Sequence, residues 1–155
     1  MRFTTVEDVK KWLRGLPLRK KELEMKSEFY RDLIHDSEKM GTVGEKYIAY
    51  YEEQTEKIHQ EIQNLARHFD AMLELLDPEE RMILTARYVK QLLWDTMEFH
   101  VHYSRRQAIR IHNQAVAKLT GIEIGRGLNT NEGTRQRLPQ GGTGSGQIER
   151  AFALR

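Results

Sequence analysis

From Glu45 to Leu76 a line of mostly apolar positions recurs at alternating spacings of three and four: Ile48, Tyr51, Thr55, Ile58, Ile62, Leu65, Phe69, Met72 and Leu76. That is a heptad seam over about four heptads, and it predicts a single helix about 45 Å long. So narrow a stripe needs a long partner. The nearest candidate is the preceding segment, folded back through the glycine turn Gly41 to Gly44. In that segment Thr4 and Thr5 stand three residues before Glu7 and Asp8, ahead of Val6, Val9, Trp12, Leu13 and Leu16, so a short amphipathic helix starts here. Gly15 and Pro17 predict its end, and Leu23, Tyr30, Leu33 and Ile34 mark a second helix to about Lys39. Lys26 and Ser37 stand where a matched seam would want apolar residues. Pairing of the long helix between two chains therefore remains an alternative, and the reading adopted is an intramolecular hairpin that also supports a homodimer.

The apolar rhythm changes at Asp77. Asp77, Pro78 and Glu80 form a helix start, with an acid at the cap, proline where its missing N–H is not needed, and a carboxylate three residues on. The helix runs to about Lys90 on Ile83, Leu84, Ala86 and Val89, with Arg81 and Arg87 at its edge. A second helix from about Leu93 to Val101 carries Trp94, Met97 and Val101 at spacings of three and four. Ser104 and Gln107 make a capping box, so a third helix opens there and runs through Ala108, Ile111, Ala115 and Leu119 to a stop at Gly121. The short gap before it is that of a helix-turn-helix.

Charge sharpens this picture. The net charge of the 155-residue chain is +2, so nucleic-acid affinity would have to come from local clustering. Between Glu98 and Glu123 there is no acidic residue, while Arg105, Arg106, Arg110 and Lys118 all lie in the third helix. Ser104, Arg105, Arg106, Gln107, Arg110 and Asn113 are the candidate DNA-binding residues, because the first turns of such a helix approach base edges and Arg and Gln suit guanine and adenine. The plain alternative is a solvated basic face. His112 reads as a half-buried core histidine in preference to a phosphate contact.

The segments EERMILTARYV and YSRRQAIRIHNQAVAKL also carry a resemblance. From Glu79 to Leu119 the chain resembles the region-4 domain of bacterial sigma-70 factors. It is still more similar to small phage regulators of the ArpU and RinA type, which share the tryptophan opening the second helix, here Trp94, and the signature found here at Tyr103 to Gln107 and Arg110 to His112. The resemblance implies a phage or prophage transcription regulator, often an activator of late genes, with double-stranded DNA and bacterial RNA polymerase as partners. It carries DNA contact onto Arg105, Arg106, Gln107 and Arg110. Two positions depart from the pattern. Glu98 replaces a small residue and is expected to hold the two helices of the motif apart, and His102 replaces the glycine or asparagine of the turn, where φ is often positive.

Composition excludes other classes. With 39% hydrophobic and 31% charged residues and no cysteine, the chain has neither disulfides nor thiolate metal sites. No apolar run near 18 residues and no leader pattern is present, so the expectation is a cytoplasmic protein without a membrane contact. His100 and His102 point apart on a helix, the six histidines show no metal-binding spacing, and no nucleophile stands with a base. No enzyme activity, metal or cofactor is expected. From Thr120 to Gln147 lie eight of the eleven glycines and no aromatic residue, which predicts a disordered tail. The expected organisation is all-α: N-terminal helices and turn over 1–44, the seam helix over 45–76, a three-helix domain over 77–120 ending in a helix-turn-helix, and a flexible tail over 121–155. A small terminase subunit and a helical interaction protein with a degenerate motif are the competing functions.

Overall fold

The computed structural model describes residues 1–125. Their helices are α1 (Val6–Glu38), α2 (Glu45–Glu74), α3 (Pro78–Leu84), α4 (Trp94–Val101) and α5 (Arg105–Leu119), and the described residues contain no β-strand. The class is all-α, with a pair of long helices preceding the three-helix domain. The expected tail beyond Gly125 lies outside the described residues.

The first correction concerns α1, which is one helix where two were expected, with Pro17 inside it. Pro17 cannot donate to the carbonyl of Leu13, a defect of about 3 kcal/mol. Against this, Val9, Leu13 and Leu16 are fully buried, and each full burial is worth about 1.5–3 kcal/mol. The inward positions continue past the proline at the same rhythm through Lys20, Leu23, Ser27, Tyr30, Ile34 and Ser37. Lys20, Ser27 and Ser37 are buried in that line, whereas Lys26 is exposed. Three polar residues on the inner face hide the heptad from a hydrophobicity reading.

By compactness the chain divides into residues 1–17 with those from Ala66 onward, and Leu18–Leu65. The expected boundaries at 44, 76 and 120 followed element ends. These divisions instead cut α1 after Pro17 and α2 after Leu65.

The unit Leu18–Leu65 is a helical hairpin. The N–H of Met40 donates to the Ser37 carbonyl at 3.0 Å, Gly41 takes φ +62°, and a Cβ on Gly44 would lie 2.0 Å from the Ser37 oxygen. Both glycines are therefore required by the turn. Across the hairpin the rings of Tyr30 and Tyr51 lie 5.9 Å apart. Of the seam residues in this unit Ile58 is buried, while Ile48, Tyr51, Ile62 and Leu65 are half-buried.

In the other unit Phe69 and Met72 continue the seam at 0% exposure. Arg81 holds the end of α2, donating from Nε to the carbonyls of Leu73 and Leu76 at 2.8 and 2.9 Å. The Leu73 carbonyl also accepts from the Leu76 N–H at 3.0 Å, so backbone and side chain together close the end of the helix. The Asp77–Glu80 capping box opens α3, which passes into a π-helical turn, Thr85–Val89. Gln91 then takes φ +56° and turns the chain toward α4. Ile83, Ala86, Met97, Val101, Ala108 and Ile111 form the core of the three helices, flanked by Leu92, Trp94 and Tyr103.

The start of the expected tail is also corrected. The Gly121 N–H donates to the Phe3 carbonyl at 2.8 Å, the Ile124 N–H to the Met1 carbonyl at 2.7 Å, and the terminal amine meets Glu123 at 2.9 Å. Ile124 is 0% exposed. One β-branched side chain in a glycine-rich segment finds a slot, and its burial offsets the ordering of its neighbours.

Candidate nucleic-acid interface

α5 starts where the capping box required. The Gln107 N–H donates to Ser104 Oγ at 3.2 Å, and the Ser104 N–H returns a bond to Gln107 Oε1 at 3.1 Å. The turn before it contains His102 at φ +60°, a left-handed conformation uncommon for a residue that carries a side chain. Glu98 does not behave as expected: it is exposed, and Met97 and Val101 are the α4 residues buried against α5. The two helices meet through Ala108, so no bulk separates them.

All six candidate residues, Ser104, Arg105, Arg106, Gln107, Arg110 and Asn113, are exposed. They are not equally free. Gln107 spends its side-chain oxygen on the cap, which removes the acceptor half of a bidentate contact to adenine. Arg105 pairs with Asp95 of α4 at 3.2 Å. Arg106 and Arg110 have no ion-pair partner among the described residues, and with Asn113 they repeat at spacings of four and three, which puts them on one face. Lys118, counted with the positive face from sequence, is corrected. Its ammonium reaches Asp77 at 2.8 Å and the buried Glu80 at 2.6 Å. Those bonds push the Lys118 ammonium up and hold the Asp77 carboxyl down.

Behind the exposed face is a polar cluster that sequence reasoning reached only in part. His112 is buried. Its Nε2 lies 2.6 Å from the Tyr88 hydroxyl and its Nδ1 3.1 Å from Asn113 Oδ1. An amide oxygen can only accept, so Nδ1 carries the proton and Tyr88 donates to Nε2. Burial holds the imidazole below its ordinary value, assisted by Lys10 and Arg87 and opposed by the Asn113 bond, so the ring is neutral near pH 7. Trp94 meets His112 edge-on at 5.2 Å, and the Arg87 guanidinium lies 5.0 Å from the Trp94 ring centre while donating to the Leu92 carbonyl at 2.8 Å. A pocket of about 240 Å³ opens over this cluster, lined by Lys10 and Arg14 of α1 together with Arg87, Tyr88, Trp94, Ile109, His112 and Asn113. Lys10 and Arg14 lie four residues apart on one face of α1. Nothing in the local pattern around them announced that they would meet α5, since the intervening chain is more than seventy residues long.

No helix among the described residues is long and apolar enough to cross a membrane. No curated protein and no solved structure matches the chain. A family model described as a protein of unknown function, DUF722, matches residues 15–121, which spans most of α1 and all of α2 to α5. With well over half of its 155 residues inside that match, the chain belongs to the DUF722 family.

Proposed function

We propose that the protein is a DNA-binding transcription regulator of phage or prophage origin that acts by recruiting or retargeting RNA polymerase through a sigma region-4-like helix-turn-helix. The observation that carries this reading is the stripe Arg106, Arg110 and Asn113. It is exposed, shared by one helix face, and free of acidic partners among the described residues. A tight turn and a formed N-terminal cap precede it. Arginine on such a face suits guanine edges, and the first turn of the helix adds backbone N–H groups for phosphate. The resemblance of YSRRQAIRIHNQAVAKL to phage regulators points the same way.

The test is duplex capture by the purified protein at two salt concentrations. Arg110→Ala is expected to cost roughly 1–3 kcal/mol at one base position if Arg110 reads a base, or to weaken all sequences alike if it holds phosphate. Failure of the parent to bind any duplex at low salt would sink the reading.

Self-association belongs to the same proposal. Leu18, Met25 and Phe29 of α1 are 61%, 60% and 60% exposed and share one face at spacings of seven and four. A hairpin with few buried apolar residues of its own gains by covering such a stripe. Light scattering on the same sample reads this directly, and a strictly monomeric mass at all concentrations would remove the dimer from the reading, as a ring of eight or more chains would favour a terminase subunit.

A further inference from the structure

The pocket beside α5 is lined by three cations and by no acid. Lys10 forms no ion pair among the described residues, and Arg14 is held at the rim by Glu7, which stays outside the lining. Arg87 is already positioned by Leu92 and Trp94, so that cation is in place without a ligand. The pocket wants an anion. Its volume of about 240 Å³ is below the range of about 300–1,000 Å³ that takes a drug-sized ligand, which favours a compact group presented from outside over a whole nucleotide. Asn113 belongs both to the pocket wall and to the face carrying Arg106 and Arg110. The pocket and the basic face are therefore one continuous surface.

We propose that this pocket seats a backbone phosphate of the duplex whose groove α5 enters, so that Lys10 and Arg14 of α1 form a second wall of the nucleic-acid surface. The inference rests on the DNA-binding reading and adds α1 to it. A helix in the major groove has a phosphate backbone on each side, and a cationic seat flanking it fixes register without reading sequence. Tyr88 and His112 form the floor. The phosphate lies within reach of the Lys10 ammonium and the Arg14 guanidinium, which are charge-assisted donors to its oxygens.

The experiment compares the parent with Lys10→Gln and Lys10→Arg on a preferred duplex and a scrambled one, across a salt series. The expected result is that Lys10→Gln weakens both duplexes by the same factor and lowers the slope of log K against log salt by about one. Lys10→Arg restores the slope, and the melting temperature does not move in either variant. If the parent binds duplex and Lys10→Gln binds with unchanged slope, the seat is overturned and the DNA reading stands. A parallel titration with inorganic phosphate follows the Trp94 indole signal by NMR. If phosphate moves that signal in the parent and not in Lys10→Gln while no duplex is bound, the DNA source is overturned in favour of a free phosphate. If neither duplex nor phosphate is bound, the seat and the DNA reading fall together.

Discussion

Burial makes His112 a neutral residue, and the consequence is a pH dependence with a definite sign. Its folded-state value lies below the ordinary 6.5, so the unfolded chain takes up a proton first as pH falls. Stability contributed by the neutral ring is complete above about 6.5 and is lost as pH falls toward the lower folded value. Denaturant titrations at pH 7.5 and 5.5 should show the lower midpoint at 5.5, and His112→Gln should narrow the gap. Tyr88→Phe tests the tautomer in the same series. It leaves Nε2 buried without its donor and should cost about 1–3 kcal/mol, and a loss well under 1 kcal/mol would mean that the hydroxyl is dispensable. At this scale the sequence was legible where chemistry is local. The Ser104–Gln107 and Asp77–Glu80 boxes are spaced by three residues and were readable as such. Lys118 was misread because the acids it meets lie about forty positions earlier, and Glu98 because a position within a motif does not say which side of the helix faces its neighbour.

The helices show how a short-range signal is overruled by a long-range one. Gly15 and Pro17 are sound local reasons to end a helix, yet α1 continues because its inward positions on both sides of the proline find cover. Pro17→Ala restores the missing donor and should raise stability by up to about 3 kcal/mol, measured by equilibrium unfolding; an unchanged or lowered midpoint would mean that the ring contributes packing worth as much as the lost bond. The α2 seam was legible because its apolar period is almost unbroken, and that of α1 was not because Lys20, Ser27 and Ser37 occupy inward sites. Along α2 the cost of truncation should follow burial: about 3–5 kcal/mol for Phe69→Ala, and less for Leu65→Ala, whose side chain is half-buried.

For the whole molecule, the net charge of +2 is near neutral, so the proposed DNA binding rests on a few clustered cations, those on α5 and the Lys10 and Arg14 that line the pocket. Composition could not reveal that residues 121–125 pack against Met1 and Phe3, because a glycine-rich segment looks alike whether or not one isoleucine within it is buried. Ending the chain at Gly121 removes Ile124 and should lower the unfolding midpoint. Ile124→Ala should account for much of that loss at about 2–5 kcal/mol, whereas equal melting of the shortened and parent chains would show the clasp to be idle.

The division of the chain has a kinetic side. Residues 1–17 share a compact unit with residues from Ala66 onward, so Val9, Leu13 and Leu16 leave the ribosome long before the chain that covers them. At about 5–20 residues per second that wait is on the order of seconds, far longer than a helix needs to form. During it the hairpin can close, while the start of α1 stands as an amphipathic helix with an open apolar side. The hairpin can thus be complete while a segment made before it still waits for cover, and in that interval a chaperone or a second nascent chain has its best access to Val9, Leu13 and Leu16.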